Sequence, residues 1–408
     1  MKPLGPIPAG FEAARGVLVV GGRPVTDWVE QAGDTPLFLY SANLVRRRVA
    51  DIRVAMPERL ALHYAVKANP FPPLLSLMDG LVDGFDIASG GELAIVRAAG
   101  IDPAQVSFAG PGKRDRELDA AIRAGVTLNL ESEAEARRAI GIAETLGVTP
   151  RLAIRVNPDF DLKGSGMKMG GGAKPFGIDA ARVPELVREV VSSGAEWRGF
   201  HIFAGSQALD ASAIAETQGQ ALDLAARLAE ESGAALPHCN LGGGLGIPYF
   251  PGDTPVDLAL VGERLAERFE RLPDVLHETA FCIELGRYLV GESGVYIARV
   301  IDRKESHGEV FLVTDGGLHH QLAASGNFGT VVRRNYPSAI ATRFDAPVEE
   351  EASIVGCLCT PLDKLADKGG FPRAEVGDLV AVFCAGAYGA SASPAQFLGQ
   401  GAALEMLV

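Results

Sequence analysis

Cysteine is scarce in this sequence. The five residues are Cys239, Cys282, Cys357, Cys359 and Cys384, an odd number, and most lie within apolar runs. A disulfide framework needs paired cysteines and an oxidising compartment, so we interpret these residues as free thiols in a reducing one. The opening residues 1–6 also lack the apolar core of a signal peptide. A cytoplasmic protein is therefore expected.

Other absences exclude further classes of protein. No apolar run reaches the roughly 20 residues that span a bilayer, and no repeat of solenoid period occurs. Basic residues are in deficit: 38 lysines and arginines stand against 51 aspartates and glutamates, a formal net charge of −13. This balance argues against nucleic acid and anionic membranes as partners, although a local basic pocket can still hold a phosphate.

Residues 41–285 alternate between strand-like and helical patterns. The strand-like runs are 60–67, 84–89, 105–109, 127–131, 151–157, 197–204, 238–242 and 279–285, and the helical patterns between them include 91–99, 114–124, 133–146, 183–191, 211–231 and 258–272. Eight strands over about 240 residues match a (β/α)8 barrel. A doubly wound open sheet is the main competitor, but the Gly-x-Gly-x-x-Gly typical of its first turn is missing.

A second, all-β domain is predicted from the rest of the chain. A length of 408 residues exceeds what one small core normally takes. Residues 1–40 hold two β-like runs, 16–20 and 36–40, with no helical pattern of any length between them, and residues 286–408 hold several more. The predicted domains are therefore a barrel of residues 41–285 inserted into a β domain of residues 1–40 and 286–408.

Chemically capable residues follow the ends of the predicted barrel strands, where the catalytic rim of such a barrel lies. They are Lys67, Asp86, Ser89, Arg155, Asn157, His201, Gly242, Gly243, Gly244, Glu284 and Arg287. Each has an ordinary alternative: Lys67 as a surface lysine, His201 as a satisfied core histidine, and the glycine triplet as a tight turn. Their joint placement at one end of successive strands favours a shared site.

The chemistry of these residues fits pyridoxal phosphate. Lys67 ends an apolar strand before Asn69-Pro70 and is interpreted as the lysine that forms a Schiff base with the cofactor. Glu284 ends a buried strand and needs a cationic partner, either Arg287 or the protonated ring nitrogen of the cofactor. The triplet 242–244 lets backbone N–H groups approach a phosphate, and His201 is placed to stack on a ring.

Several segments resemble the fold-type III pyridoxal-phosphate decarboxylases, the group of the diaminopimelate, ornithine and arginine decarboxylases. The segments are 63–69, 85–92, the strand with His201, 242–244, 284–287, 356–363 and 386–388. The resemblance covers most of the chain. It implies that Lys67 binds the cofactor, that His201 stacks on the ring and that Glu284 faces the ring nitrogen.

The same resemblance assigns further residues. It places Ser206, the triplet 242–244, Gly286, Arg287 and Tyr388 at the phosphate, and it implies Cys359 as proton donor and Asp363 as a group on the substrate side. In the family, the last two come from the neighbouring subunit, so a homodimer with shared sites is implied. Without the resemblance, Cys357 and Cys359 read as a buried pair or weak metal ligands, and no metal site is predicted.

Features outside these motifs bear on the substrate. Leu285 stands where the family usually has proline, and residues 161–172 and 322–329 resemble a subgroup associated with exosortase and exopolysaccharide gene clusters. They are also similar to a decarboxylase that acts on carrier-protein-bound glutamate. The expected substrate is therefore an amino acid that is free, citrate-linked or carrier-linked. Arg333, Arg334 and Tyr336 are candidates for recognising it, and the loop 161–172 is either a lid or a flexible surface loop.

Two other functions remain open from the sequence. An amino-acid racemase shares the two-domain plan, but it lacks the run with Cys359 and Asp363. A non-catalytic binder of pyridoxal phosphate is the alternative from another class. The presence together of Lys67, Glu284, Cys359 and Asp363 argues against it.

Overall fold

The structure, a computed structural model, describes residues 1–326 and 334–408. Its strands, in chain order, are β1 (Glu12–Ala14), β2 (Val17–Val20), β3 (Arg23–Pro24), β4 (Leu37–Tyr40), β5 (Leu60–Ala65), β6 (Gly84–Ile87), β7 (Val106–Phe108), β8 (Thr127–Leu130), β9 (Arg151–Asn157), β10 (Met167–Lys168), β11 (Ile178–Asp179), β12 (Glu196–Ile202), β13 (Gly205–Ser206), β14 (His238–Asn240), β15 (Ala280–Leu285), β16 (Gly294–Ser306), β17 (Glu309–Thr314), β18 (Ser338–Ile340), β19 (Glu350–Val355), β20 (Lys364–Phe371), β21 (Leu379–Phe383) and β22 (Leu404–Leu407).

The α-helices in these residues are α1 (Val25–Ala32), α2 (Ala42–Ala55), α3 (Pro72–Asp79), α4 (Gly90–Ala98), α5 (Asp115–Ala124), α6 (Glu133–Leu146), α7 (Val183–Ser192), α8 (Ala211–Ser232), α9 (Leu258–Phe269) and α10 (Arg287–Val290). No helix in the described ranges has the length and apolar character required to cross a membrane.

Two compact units make up the described chain. The first consists of residues 49–246 and 255–286, and the second of residues 1–48, 247–254 and 287–408. Residues 247–254 thus belong to the same unit as both chain ends. The domain boundaries drawn from the sequence stay a prediction.

The first unit is a closed barrel of parallel strands. The strand order is β9-β12-β14-β15-β5-β6-β7-β8, and β8 pairs back with β9 to close the ring. Strands such as β15 are buried along nearly their whole length, as expected for parallel strands covered by helices on the outside. The register places Glu284 opposite His63 and Leu285 opposite Tyr64. The predicted (β/α)8 barrel is confirmed.

Several helices of the barrel end at glycine. Gly125 and Gly147 follow α5 and α6 with φ angles of 77° and 64°. A residue with a Cβ is disfavoured in this left-handed conformation, and glycine there lets the chain turn back into the next strand. These two glycines therefore stop their helices close to the strands that follow, β8 and β9.

The second unit is a mixed β-sheet domain. Its sheet runs β18-β21-β16-β17-β19-β20, and β4 pairs with both β16 and β22. A small sheet of β1, β2 and β3 adds to it. The 13-residue strand β16 pairs with β4, β17 and β21 and so joins the N-terminal segment to the C-terminal part of the chain. The predicted second β domain is confirmed.

Helix α1 corrects one detail of the sequence interpretation, which allowed no helix between the two N-terminal runs. Val25, Trp28 and Val29 are buried at positions i, i+3 and i+4, and they pack into the core of the second unit. Only eight residues form the helix, and Gly33 ends it. So short a helix carries little periodic signal, and most of its stability comes from tertiary packing.

Gly262 provides a test of the packing between α9 and the end of α2. A Cβ at this position would collide with the backbone oxygen of Ala55, whereas Gly141 on α6 has open space around it. We expect Gly262→Ala to lower the free energy of unfolding by about 1–3 kcal/mol through overpacking. The control Gly141→Ala should raise it by about 0.4–1 kcal/mol. Urea unfolding measures both, and equal effects would contradict the packing described.

Candidate active site

Lys67 lies on a short turn directly after β5. The turn Val66–Ala68 is a 3-10 helix, with Val66 and Ala68 buried and Lys67 exposed. The Tyr64 hydroxyl donates to the Asn69 backbone oxygen at 2.9 Å, which fixes the turn against the strand. Because its two neighbours are buried and Lys67 is not, the lysine amine is presented at the end of the strand. Its Nζ atom lies 5.6 Å from the centre of the Phe203 ring.

Glu284 is a buried carboxylate near the end of β15. Its Oε2 lies 3.1 Å from His201 Nε2 and accepts a hydrogen bond from Asn240 Nδ2 at 3.3 Å. Burial alone would raise the pKa of this carboxyl, but His201, then Lys67 and Arg155, outweigh burial and lower the pKa far below its usual range. Glu284 is therefore an anion at neutral pH, as required of a group that faces a protonated ring nitrogen.

Polar atoms at this rim lack partners within the described protein. The Nδ1 atom of His201 and the Oδ1 atom of Asp86 are buried without a hydrogen bond, although His201 Nε2 faces Glu284 and Asp86 Oδ2 lies 3.2 Å from His63 Nδ1. Buried polar groups are normally satisfied, and such exceptions call for an explanation. Together with an exposed lysine and an anionic Glu284, they fit a polar, ring-containing cofactor that binds here.

The motif around Ser89 has a structural explanation of its own. Ser89 is the N-cap of α4 and accepts a hydrogen bond from the Glu92 backbone N–H at 3.1 Å. Glu92 Oε2 accepts one in return from the Ala88 backbone N–H at 2.6 Å. The pair differs from a capping box only in that Glu92 accepts from the residue before the N-cap. Ser89 therefore serves the helix start, and Asp86 is the residue of this strand that reaches the rim.

Arg155 is held by a carboxylate that the sequence interpretation missed. Glu131 Oε1 accepts from Arg155 Nη1 at 2.9 Å and from the Gly110 backbone N–H, while its Oε2 accepts from the Gly177 backbone N–H at 2.7 Å. Arg155 and Glu131 are both buried. Because Glu131 has so many donors, the buried pair is well satisfied, and it ties two rim loops to β9.

Protein packing explains the glycine triplet. A Cβ on Gly242 would lie 2.7 Å from the Ile202 oxygen, one on Gly244 would lie 2.7 Å from Leu162, and one on Gly243 would collide with the Glu284 oxygen. Asn240 Oδ1 accepts from the Gly242 backbone N–H at 2.8 Å and shapes the start of the loop. The triplet thus lets the loop pack tightly against β12 and β15. Its role at a phosphate stays a prediction.

The glycine- and methionine-rich segment 161–172 packs onto the loop after β12. Strand β10 pairs with β13, which places Met167 opposite Ser206. The backbone N–H groups of Met169 and Gly170 donate to the Ala204 oxygen, and Leu162 is buried. The segment is thus anchored at several points, and it covers the backbone of the predicted phosphate residue Ser206.

Arg287 and Tyr388 meet in the second unit. Arg287 Nη1 donates to the Tyr249 hydroxyl at 2.7 Å, and its guanidinium carbon lies 4.6 Å from the centre of the Tyr388 ring. Arg287 Nε is buried without a hydrogen-bond partner. An arginine that two tyrosines hold in place, and that keeps an unused N–H donor, is suited to bind an anion. The assignment of Arg287 and Tyr388 to a phosphate stays a prediction.

The residues predicted to recognise the substrate lie in different environments. Tyr336 is buried and packs against the Tyr249 ring, with centroids 4.8 Å apart. Arg334 is exposed and lies over Phe250, 3.7 Å from its ring centre. Arg333 lies outside the described residues. Tyr249 thus joins Arg287 to Tyr336.

Asp363 shapes the loop that carries Cys359. Its two carboxylate oxygens accept from the backbone N–H groups of Leu318 and Leu358 at 2.7 and 2.8 Å, and the side chain is buried. Cys359 is exposed, while Cys357 is half-buried. Asp363 therefore positions the turn on which the Cys359 thiol faces outward. The roles of both residues in turnover stay predictions.

Three polar residues escaped the sequence interpretation. Glu131 follows β8, so the strand-end rule that found Glu284 would also have found it. Asn240 ends β14 by the same rule. Tyr249 gave no such signal, because it lies in a loop and its importance comes only from its contact with Arg287.

The chain matches known proteins along most of its length. Residues 42–291 match the family model described as the pyridoxal binding domain of pyridoxal-dependent decarboxylases. An L-glutamyl-[BtrI acyl-carrier protein] decarboxylase of Niallia circulans is 35% identical, with 92% of this chain and 89% of that protein covered. A diaminopimelate decarboxylase of Archaeoglobus fulgidus is 34% identical, with coverage of 98% and 93%.

A solved structure agrees with these relatives. The diaminopimelate decarboxylase of Helicobacter pylori, in complex with L-lysine, superposes with a TM-score of 0.83 at 27% identity, covering 94% of each chain. The resemblance drawn from the motifs is therefore confirmed, as are the cofactor and the class of reaction that it implied. The chain belongs to the pyridoxal-dependent decarboxylases, the carboxy-lyases that act on amino acids with pyridoxal phosphate.

Proposed function

We propose that this enzyme removes the α-carboxylate of an amino acid that is linked to a carrier protein, with glutamate as the first candidate. The observation that carries the decarboxylase chemistry is the pairing of an exposed Lys67 with a buried, anionic Glu284 at one barrel rim. The carrier-linked substrate is supported by the similarity to the Niallia circulans enzyme, whose name states such a substrate.

Each residue at the rim has a role in this proposal. Lys67 would hold the cofactor covalently through Nζ, and His201 would pack against its ring. Glu284, as a buried anion, would keep the ring nitrogen protonated. The bound cofactor supplies an electron sink that stabilises negative charge at Cα. Burial of Glu284 strengthens its interaction with that proton, because the local dielectric constant is low.

Completion of the reaction needs a proton at Cα. We assign this proton to the Cys359 thiol of the partner subunit in a homodimer. The support is the resemblance of the run 356–363 to the family motif, together with the exposure of Cys359. An exposed thiol on a turn fixed by Asp363 is available to a second chain, whereas the buried cysteines are not.

A screen for carbon dioxide release tests the substrate. The substrates are diaminopimelate, ornithine, lysine, arginine, free glutamate and glutamate thioesterified to an acyl-carrier protein. We expect carbon dioxide from the carrier-linked glutamate, with a kcat/KM above that of every free amino acid. Release from free diaminopimelate alone would overturn the carrier-linked substrate. Inversion at Cα without carbon dioxide would indicate a racemase, and no reaction at all would indicate a non-catalytic binder.

Lys67→Ala tests the anchoring residue. We expect loss of the lysine-linked absorbance of the cofactor and turnover at background level, because no other group replaces the covalent bond. Lys304→Ala is the control, since Lys304 is exposed on β16 in the second unit. This variant should keep full activity. A Lys67→Ala enzyme that retains the absorbance would place the cofactor on another lysine.

Cys359→Ala tests the proton donor and the dimer. Turnover should fall by about 10²–10⁴-fold, the usual contribution of a general acid, while the absorbance of the bound cofactor persists. Cys357→Ala, two residues away, is the matched control and should stay active. An unchanged rate and product in Cys359→Ala would contradict the role.

Hybrid dimers then show whether the sites are shared. Lys67→Ala and Cys359→Ala subunits, each inactive alone, are mixed by unfolding and refolding together. If each site takes Lys67 from one chain and Cys359 from the other, half of the dimers carry one intact site. About a quarter of the wild-type activity should return under random pairing. No recovery, in refolded samples that contain dimers of both chains, would place both residues in one chain's site.

A further inference from the structure

The interior of the barrel contains a polar cavity. TIM-type barrels are normally filled by branched aliphatic side chains. Here a space of about 180 Å³ lies among residues that include His63, Ser107, Asn129, Arg198 and His238. A cavity of this size and polarity has room for an ion with its water.

Three potential metal ligands converge in this region. His63, His238 and Cys282 each offer one ligand atom, and these atoms all lie within 4.8 Å of one another. The residues come from β5, β14 and β15, which are adjacent in the barrel. Ligand atoms around a tetrahedral zinc ion are about 3.3–3.8 Å apart, as follows from the usual Zn–N and Zn–S bond lengths. A contraction of about 1 Å would complete the site.

The surroundings of the two histidines favour a metal. His63 Nδ1 lies 3.2 Å from Asp86 Oδ2, and metal-binding histidines usually have a carboxylate on their other ring nitrogen. The His238 ring forms no hydrogen bond among the described residues, and its centre lies 6.0 Å from that of the His63 ring. Although burial alone would lower it, contacts with Cys282 and Asp86 raise the pKa of His63 well above its usual value. Metal binding would therefore displace a proton from His63 as well as from the Cys282 thiol.

We propose that His63, His238 and Cys282 form a binding site for a divalent zinc-class ion, with the fourth position open to the cavity. Two imidazoles and a thiolate are ligands that zinc prefers over magnesium or calcium. Arg198, at the same cavity, opposes a cation, whereas Asp83 and Asp86 favour one. The bound ion would tie the neighbouring strands β14, β15 and β5 together inside the barrel.

The three ligands do not form a short metal-binding motif in the sequence. His63 and His238 are separated by 175 positions, the difference between their numbers, and Cys282 lies in an apolar strand. The proposal does not depend on the substrate proposed above, because none of the three ligands is assigned a role in binding the cofactor or the substrate. Its test therefore needs no assay of turnover.

Zinc binding to the chelator-treated holoenzyme provides the test. Metal content after dialysis against buffered Zn²⁺ should be one equivalent per chain in the wild type. Cys282→Ser and His238→Gln should each weaken binding at least about tenfold, and Asp86→Asn about 10–100-fold. Zinc should also raise the Tm of the wild type but not that of Cys282→Ser.

Two control variants separate this site from other thiols. Cys239→Ser removes a buried thiol one residue from His238, on the opposite face of the strand. Cys359→Ser removes the exposed thiol. Both should keep one equivalent. Wild-type enzyme that retains no zinc, or a Cys282→Ser variant that binds it as tightly, would overturn the proposal.

If a variant fails to fold, X-ray diffraction from wild-type crystals at the zinc absorption edge tests the site instead. Wild-type holoenzyme crystals soaked in Zn²⁺ should show an anomalous peak about 2.0–2.3 Å from the three ligand atoms. A fully soaked crystal with no peak among His63, His238 and Cys282 would overturn the proposal.

Discussion

The burial of a carboxylate at the end of a barrel strand is the constraint on which the rim of this enzyme depends. An isolated charge such as Glu284 is expensive to bury, so the surrounding structure must supply cations and hydrogen-bond donors. His201, Lys67 and Arg155 lower its pKa, and Asn240 donates to it. Arg155 is in turn held by Glu131. One costly charge thus organises the polar groups of several strands.

Strand order is what makes this arrangement possible. The last barrel strand, β15, lies beside the first, β5, so Glu284 and the turn with Lys67 are neighbours although more than two hundred residues separate them. Gly286 permits the close approach, since a Cβ there would lie 2.8 Å from the Ala68 Cβ. Closure of the barrel therefore places an amine beside a carboxylate, the chemistry that pyridoxal phosphate requires.

The barrel interior carries polar chemistry at more than one level. The carboxyl ends of the strands carry the exposed lysine and the buried charges, and a cavity inside the barrel is lined partly by imidazole, amide and guanidinium groups. Asp86 lies between the two regions, since one of its oxygens lies beside His63 and the other is left without a partner. Polar groups inside a barrel can hold ligands, at some cost in the stability that aliphatic packing provides.

The sequence by itself determined the barrel, the β domain and most of the rim, because alternating patterns and polar strand ends are local signals. Tertiary structure alone decided which partners those residues have. The sequence predicts a phosphate loop at glycines 242–244. In the structure, close contacts with Ile202, Leu162 and Glu284 are sufficient to explain why these positions are glycine. The contact of Tyr249 with Arg287 and the cluster of His63, His238 and Cys282 have no local signal in the sequence, because they join residues far apart in the chain. Helix α1 was missed for another reason, since eight residues carry too weak a periodic signal and packing supplies most of the stability of the helix.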